Sequence, residues 1–181
     1  MKSDIIEKIG IPEDVNVDID NRVVRASCGN NKIERVLFYP KISIVKEGDY
    51  IIIKSAMGTK REKRLIGSFS AHIKNMLKGI KSNYVYKVIA CSSHFPMSII
   101  IDKNEIVIKN FLGEKIPRKT KLIEGVSVNI EGNMIIIKGI DKEKVGQMAG
   151  KIELLTKVRG RDKRVFQDGC YITDKNGKLV K

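Results

Sequence analysis

Few residues in this chain are equipped for covalent chemistry. Ser92, Ser93 and His94 stand together, a nucleophile beside a base. Adjacent residues on an extended chain point to opposite sides, however, and no acid follows within reach to orient the imidazole, so a serine-hydrolase site is not expected. His72 lies beside Ile73 and Met76 on the apolar side of a helical pattern, the ordinary place of a packed or capping histidine. Cys28, Cys91 and Cys170 are odd in number, widely spaced and form no C-x-x-C pair. Neither a disulfide framework nor a zinc site is indicated, and the thiols read as small buried hydrophobes. Two histidines and scattered carboxylates assemble no metal set or acid–base pair, and no phosphate-cradling glycine loop occurs. No cofactor is expected.

The chemistry that remains is ionic. Lys and Arg number 35 against 21 Asp and Glu, giving a formal charge of +14 and a pI near 9.7. Such a chain repels itself unless a polyanion neutralises it. Nucleic acid is the expected polyanion. No segment joins a basic face to bulky aromatic anchors as a membrane-surface helix would, and the longest apolar runs fall far below the roughly 20 residues of a membrane span. No charged-then-apolar leader opens the sequence, so the cytoplasm is the expected compartment. Three basic clusters carry the signal: Lys60, Arg61, Lys63 and Arg64 around Glu62; Lys115 with Arg118, Lys119 and Lys121; and Lys157, Arg159, Arg161, Lys163 and Arg164, which face only Asp162. Lys and Arg bind phosphate with little sequence discrimination. An aromatic content of 6% argues against a stacking platform for single strands and for folded RNA recognised by backbone and groove shape.

The elements that must position these clusters come in two copies. Ile42 to Lys54 lies 84 positions before Val126 to Lys138, and the offset runs back without a gap through Pro12 and Pro96, Asp18 and Asp102, Val23 and Val107, and Gly29 and Gly113. Each copy reads as two hairpins and then a helix. Val15, Val17 and Ile19 alternate with polar residues and turn at Asp20-Asn21 into Val23 to Cys28, as Met97 to Ile101 turns at Asp102-Lys103-Asn104 into Glu105 to Ile108. The second hairpins turn at Gly48-Asp49 and Gly132-Asn133. Leu65, Phe69, Ile73, Met76, Leu77 and Ile80 then recur at helical spacing, as do Val145, Met148, Ile152 and Leu155. Gly79 is the expected C-cap of the first helix and Asp141 the expected N-cap of the second. Aligning Gly67 with Gly146 gives an offset of 79, so the first copy carries five extra residues between its last strand and its helix. Residues 1–11 read as a small helix or arm.

The expected fold is α+β, two duplicated small domains, each an antiparallel-rich mixed sheet covered by one main helix. The domains span 1–82 and 83–181, joined by a short linker that suits a rigid spacer. The basic residues balance to +6 in the first and +8 in the second. Lys157 to Ile172 falls outside the repeat. Its basic half is expected to touch phosphate, while Val165, Phe166, Tyr171 and Ile172, around an Asp168-Gly169 turn, pin it down.

Four ordered stretches carry a resemblance: His72 to Gly79, Ser93-His94-Phe95-Pro96, Asn110 to Lys115, and Arg164 to Ile172. Over nearly its whole length the chain resembles the archaeal and eukaryotic branch of the large-subunit ribosomal protein L-six family. The resemblance implies two duplicated α/β domains and a structural, non-catalytic role. It further implies binding of large-subunit ribosomal RNA near the sarcin-ricin loop and stalk base, with neighbouring ribosomal proteins there and translation factors nearby. It carries Lys157, Arg159, Arg161, Lys163 and Arg164 over as RNA contacts within a C-terminal RNA-binding segment, 157–181. Cys170, where the family more often shows an aliphatic residue, and Gly160 depart from the family pattern. An RNA-processing enzyme and a nucleic-acid chaperone outside the ribosome are the alternative readings.

Overall fold

The computed structural model describes residues 3–20 and 22–180, and it divides into two compact units at Asn83 and Tyr84. In the first unit, β1 (Ser3–Gly10) is followed by β2 (Asn16–Asp20), β3 (Val23–Cys28), β4 (Asn31–Val36), β5 (Ser43–Glu47), β6 (Tyr50–Gly58) and α1 (Lys60–Lys81). The second unit holds β7 (Tyr84–Cys91), β8 (Ser98–Asp102), β9 (Glu105–Lys109) and β10 (Arg118–Lys121). Then come β11 (Val126–Glu131), β12 (Met134–Gly139), α2 (Lys142–Leu155), β13 (Gly169–Lys175) and β14 (Lys178–Leu179). The α+β class holds. In each unit the strands divide over two sheets, β1-β6-β5 with β2-β3-β4, and β11-β12-β7-β13-β14 with β10-β9-β8. Every ladder among the described residues is antiparallel.

The hairpins form where the turn chemistry places them. Gly48 and Gly132 take φ of 58° and 59°, a left-handed conformation that other residues reach at a cost, and each reverses the chain into an isoleucine-rich strand. Ile51, Ile53, Ile135 and Ile137 are completely buried at the centres of β6 and β12. α1 packs against β1, β3, β4 and β6, and α2 against β7, β10, β11, β12 and β13. The expected turn at Asp20-Asn21 involves Asn21, which lies outside the described residues.

Four local expectations are corrected. Where it is described, the expected small helix or arm is a strand: Ser3–Gly10 pairs along β6, which supplies the ladder, and Ile9 turns into the core. Gly79 is no cap; the helix continues to Lys81, and Ser82 ends it by donating its N–H to the Lys78 carbonyl. The buried face of α1 runs through Ile66, Ser70, Ile73 and Leu77, so its first turns bury Ile66 and leave Leu65 half-exposed. The extra residues of the first copy do not form an insert before the helix. They lengthen β6 and add to the start of α1, so Lys60 to Arg64 is the opening of the helix itself. Asp141 caps α2, accepting the N–H of Glu143, as expected.

The ladders refine the duplication. Gly10 pairs with Tyr50 and Ile89 with Met134, so β1 corresponds to β7 at an offset of 79 rather than 84. The same offset superimposes the buried helix positions Ile66 on Val145, Ser70 on Ala149, Ile73 on Ile152 and Leu77 on Thr156. The second unit therefore carries five additional residues between Ile89 and Pro96, a stretch that ends β7 and continues into a loop containing Ser92, Ser93 and His94.

Candidate nucleic-acid interface

The basic segment of the second unit starts where α2 stops. Thr156, buried as the C-cap of the helix, accepts the N–H of Cys170 on its hydroxyl, tying the helix end to the start of β13. Between them Lys157, Arg159, Arg161, Lys163 and Arg164 are exposed, while Val158 is buried and Phe166 half-buried. Val158, Phe166 and Cys170 anchor the segment. Val165 and Tyr171, expected as anchors, are instead 59% and 43% exposed. Nor is Asp168-Gly169 a turn: Gly169 opens β13 with φ of +155°, and a Cβ there would lie 3.3 Å from the Tyr171 ring and 3.4 Å from the Thr156 carbonyl.

Asp168 is the hinge pin of this arrangement. Its side chain is 3% exposed, and it accepts the backbone N–H groups of Ser93 and His94 at 2.6 and 3.0 Å. The Ser93 hydroxyl donates to its other oxygen at 3.1 Å, and His94 Nδ1 lies 2.5 Å from that same oxygen. Burial pushes the Asp168 carboxyl up, but the hydrogen bonds from His94 and Ser93 overcome it and hold the group well below the usual carboxylate range. The acid that sequence distance seemed to deny His94 is thus supplied from more than seventy residues away. The contact is still no catalytic triad. A triad places the acid on one ring nitrogen and the nucleophile on the other, whereas here Ser93 Oγ and Asp168 Oδ2 both meet Nδ1. The three side chains close a triangle that clamps the additional β7–β8 loop to the start of β13.

The clamp reaches the cations. The His94 ring stacks on Phe166 with centroids 4.8 Å apart and planes inclined by 24°, and the Arg161 guanidinium sits 4.8 Å from the same Phe166 ring. Asp162 shapes the tip by accepting the N–H of Arg164 and pairing with its guanidinium at 2.8 Å. That hydrogen bond from Arg164 lowers the Asp162 carboxyl and raises the guanidinium. Lys157, Arg159 and Lys163 have no acidic partner among the described residues.

The middle cluster joins the same end of the unit. Arg118 forks onto Glu114 at 2.6 and 2.8 Å, donates to the Leu155 carbonyl at 2.6 Å and lies over the Phe111 ring at 4.3 Å. The Glu114 carboxyl is lowered first by the Arg118 hydrogen bond and also by the charge of Arg161. Arg118 is therefore occupied in holding the end of α2, and the exposed cations around it are Lys115, Lys119 and Lys121.

Lys60, Arg61, Lys63 and Arg64 belong to the first unit. Thr59 and Glu62 close a capping box there: Glu62 accepts the Thr59 N–H at 2.8 Å and also bonds the Thr59 hydroxyl, which lowers its carboxyl to about 2. Tyr39 donates to Glu62, and Arg61 lies 5.8 Å from the Tyr39 ring. Four exposed cations at the positive end of a helix dipole oppose helix stability, so they concentrate positive potential rather than support the fold.

Sequence reasoning left out Phe166's stacking and the union of Ser93, His94 and Asp168. Both halves of that union lie in stretches singled out for the resemblance, but nothing local links them. Among the described residues no group of His, Cys, Asp and Glu is placed to hold a metal ion, and no helix is long and apolar enough to cross a membrane.

Comparison with known proteins matches this architecture twice over. The family described as Ribosomal protein L6 matches residues 11–83 and again 95–169. Large ribosomal subunit protein uL6 of Methanococcus vannielii is 41% identical over 176 residues, 97% of this chain and 97% of the relative. The uL6 protein of Methanothrix thermoacetophila is 38% identical over 175 residues, 97% and 99% of the two chains. With both units and nearly the full length accounted for, the chain belongs to the ribosomal protein L6 family.

Proposed function

We propose that this protein is a structural constituent of the cytoplasmic large ribosomal subunit, not an enzyme, and that its second unit grips large-subunit ribosomal RNA. In this reading residues 1–82 and 83–181 are the working domains, and 157–181 is the RNA-binding segment. The observation that carries the reading is the Lys157–Arg164 loop, a row of exposed cations seated on a buried carboxylate clamp in a chain of this family. Lys115, Lys119 and Lys121 extend the same surface, and Arg118 braces it. Lys60, Arg61, Lys63 and Arg64 offer a second, weaker contact. The RNA lies near the sarcin-ricin loop and the stalk base, so the protein supports the region where translation factors bind and meets neighbouring ribosomal proteins there. That placement rests on the family resemblance.

Co-sedimentation tests the assignment: the protein enters large subunits in extract at physiological salt, and failure to do so overturns it. Replacing Arg159, Arg161 and Arg164 by Gln is expected to lower the log–log salt slope of RNA binding by about 2, each phosphate contact contributing about 0.7–0.9. Replacing Lys60, Arg61 and Lys63 lowers it less. Equal losses reject the leading role of the C-terminal segment.

A further inference from the structure

In the second unit β7 is an interior strand, bonded to β12 on one side and to β13 on the other. Its counterpart β1 is bonded to β6 alone among the described residues, which leaves its other edge open. The Ile11 N–H donates to the Asp49 carbonyl on the β6 side, as the Ala90 N–H donates to the Asn133 carbonyl on the β12 side. By the alternation of an antiparallel ladder, the N–H and C=O groups of Ile6, Lys8 and Gly10 then face outward. Exposed strand edges of this kind are normally covered or blunted.

The space beside this edge is shaped as well as open. A groove of about 260 Å³ runs between the end of β1 and the last turns of α1, its floor built by Ile9, Pro12 and Leu77 and its rim by Lys74, Lys78 and Lys81. At the offset of 79 that relates β1 to β7 and α1 to α2, Leu77 stands where Thr156 receives the Cys170 N–H, and Lys74 where Glu153 receives the Ile172 N–H. The groove is the site that β13 fills in the second unit. The rim is cationic. Lys74 pairs with Glu7 and Lys81 with Asp14, while Lys78 has no ion pair among the described residues and Lys8 is exposed on the open edge.

We infer that the first unit accepts an antiparallel β-strand from another protein chain along β1, with an apolar side chain over Leu77 and acidic side chains toward Lys8 and Lys78. Main-chain hydrogen bonds supply the affinity of such strand addition and the flanking side chains its selectivity. Lys74 in place of Glu153 adds a preference: an ammonium meets a carbonyl or carboxylate, where Glu153 met an N–H.

The test uses large subunits that contain the full chain, with co-sedimentation as the control that separates this inference from the ribosomal assignment. In the free protein the Ile6, Lys8 and Gly10 amides exchange freely with solvent, and in subunits they become protected at least tenfold. With Lys78 replaced by photoreactive p-benzoylphenylalanine, irradiation of subunits is expected to give an adduct to a strand of a second protein, identified by mass spectrometry. Lys8→Pro removes an outward N–H, which edge strands tolerate, and abolishes the adduct, whereas Lys8→Ala retains it. An adduct to RNA, no adduct, or amides that stay unprotected in subunits holding the chain overturns the inference.

Discussion

The two units share their hairpins, their isoleucine strands and the buried face of their helices, and they part at the two ends of the β1 or β7 strand and of the helix. The first unit extends its helix and opens it with four cations around a capped Glu62. The second shortens its helix, lengthens the loop after β7 and continues past α2 into a further strand. Those last two differences are one: the added loop supplies Ser93 and His94, the added strand begins behind Asp168, and each holds the other in place. The second copy thus carries a cationic loop beside two pieces the first copy lacks, hydrogen-bonded to each other.

The comparison can be broken most directly at the clamp. Asp168→Ala leaves the Ser93 and His94 backbone N–H groups without their acceptor and should destabilise the second unit by about 2–4 kcal/mol, read by hydrogen exchange as lost protection in β7 and β13 but not in β6. Equal loss in β6 would mean the units are not independent. Because the Asp168 carboxyl is depressed in the folded chain, its contribution is complete above about pH 4 and is lost as pH falls below that. Asp168→Asn should remove that part of the acid sensitivity.

A smaller effect, about 1–2 kcal/mol, is expected for Gly169→Ala, whose methyl would meet Tyr171 and Thr156 at a φ that alanine avoids. In the first unit Thr59→Ala should cost about 1 kcal/mol, measured by urea unfolding, and leave RNA affinity through the second unit unchanged. The finest test is Phe166→Leu, which deprives His94 and Arg161 of their ring partner at about 0.5–1 kcal/mol. RNA affinity should fall while the fold persists, and unchanged affinity would show that Arg161 needs no positioning.

The duplication was legible because turn glycines and isoleucine runs are local signals, repeated at a constant spacing. β1 was not, since Ile5-Ile6-Glu7-Lys8-Ile9 satisfies helical and strand periods alike and only β6, some forty residues on, decides between them. The helix cap was misplaced at Gly79 because a buried glycine inside a helix and one just past its end look the same in sequence. Charge marked the candidate site as a set of clusters, but it could not tell that Arg118 is tied to Glu114 and Leu155 while Lys157, Arg159 and Lys163 stand clear. The clamp was invisible for a further reason: its partners meet only when β13 aligns against β7, and no pattern near Ser93 encodes an acid at 168.

The order of strands also sets a timetable for biosynthesis. β13 pairs Gly169 with Cys91 and Cys170 with Ala90, so the central sheet of the second unit awaits residues made almost eighty positions after β7. The first unit, whose own sheets close within residues 3–58, contains every partner it needs long before then. Domains fold as units from the N-terminus during synthesis, so the leading unit can be complete while the trailing one still lacks its last interior strand. A chain that stops short of Gly169 would carry all five cations of the loop yet have no Asp168-anchored strand to hold them in shape. Premature products would then be marked by a slack loop, and only a finished chain would present its charges in a fixed pattern.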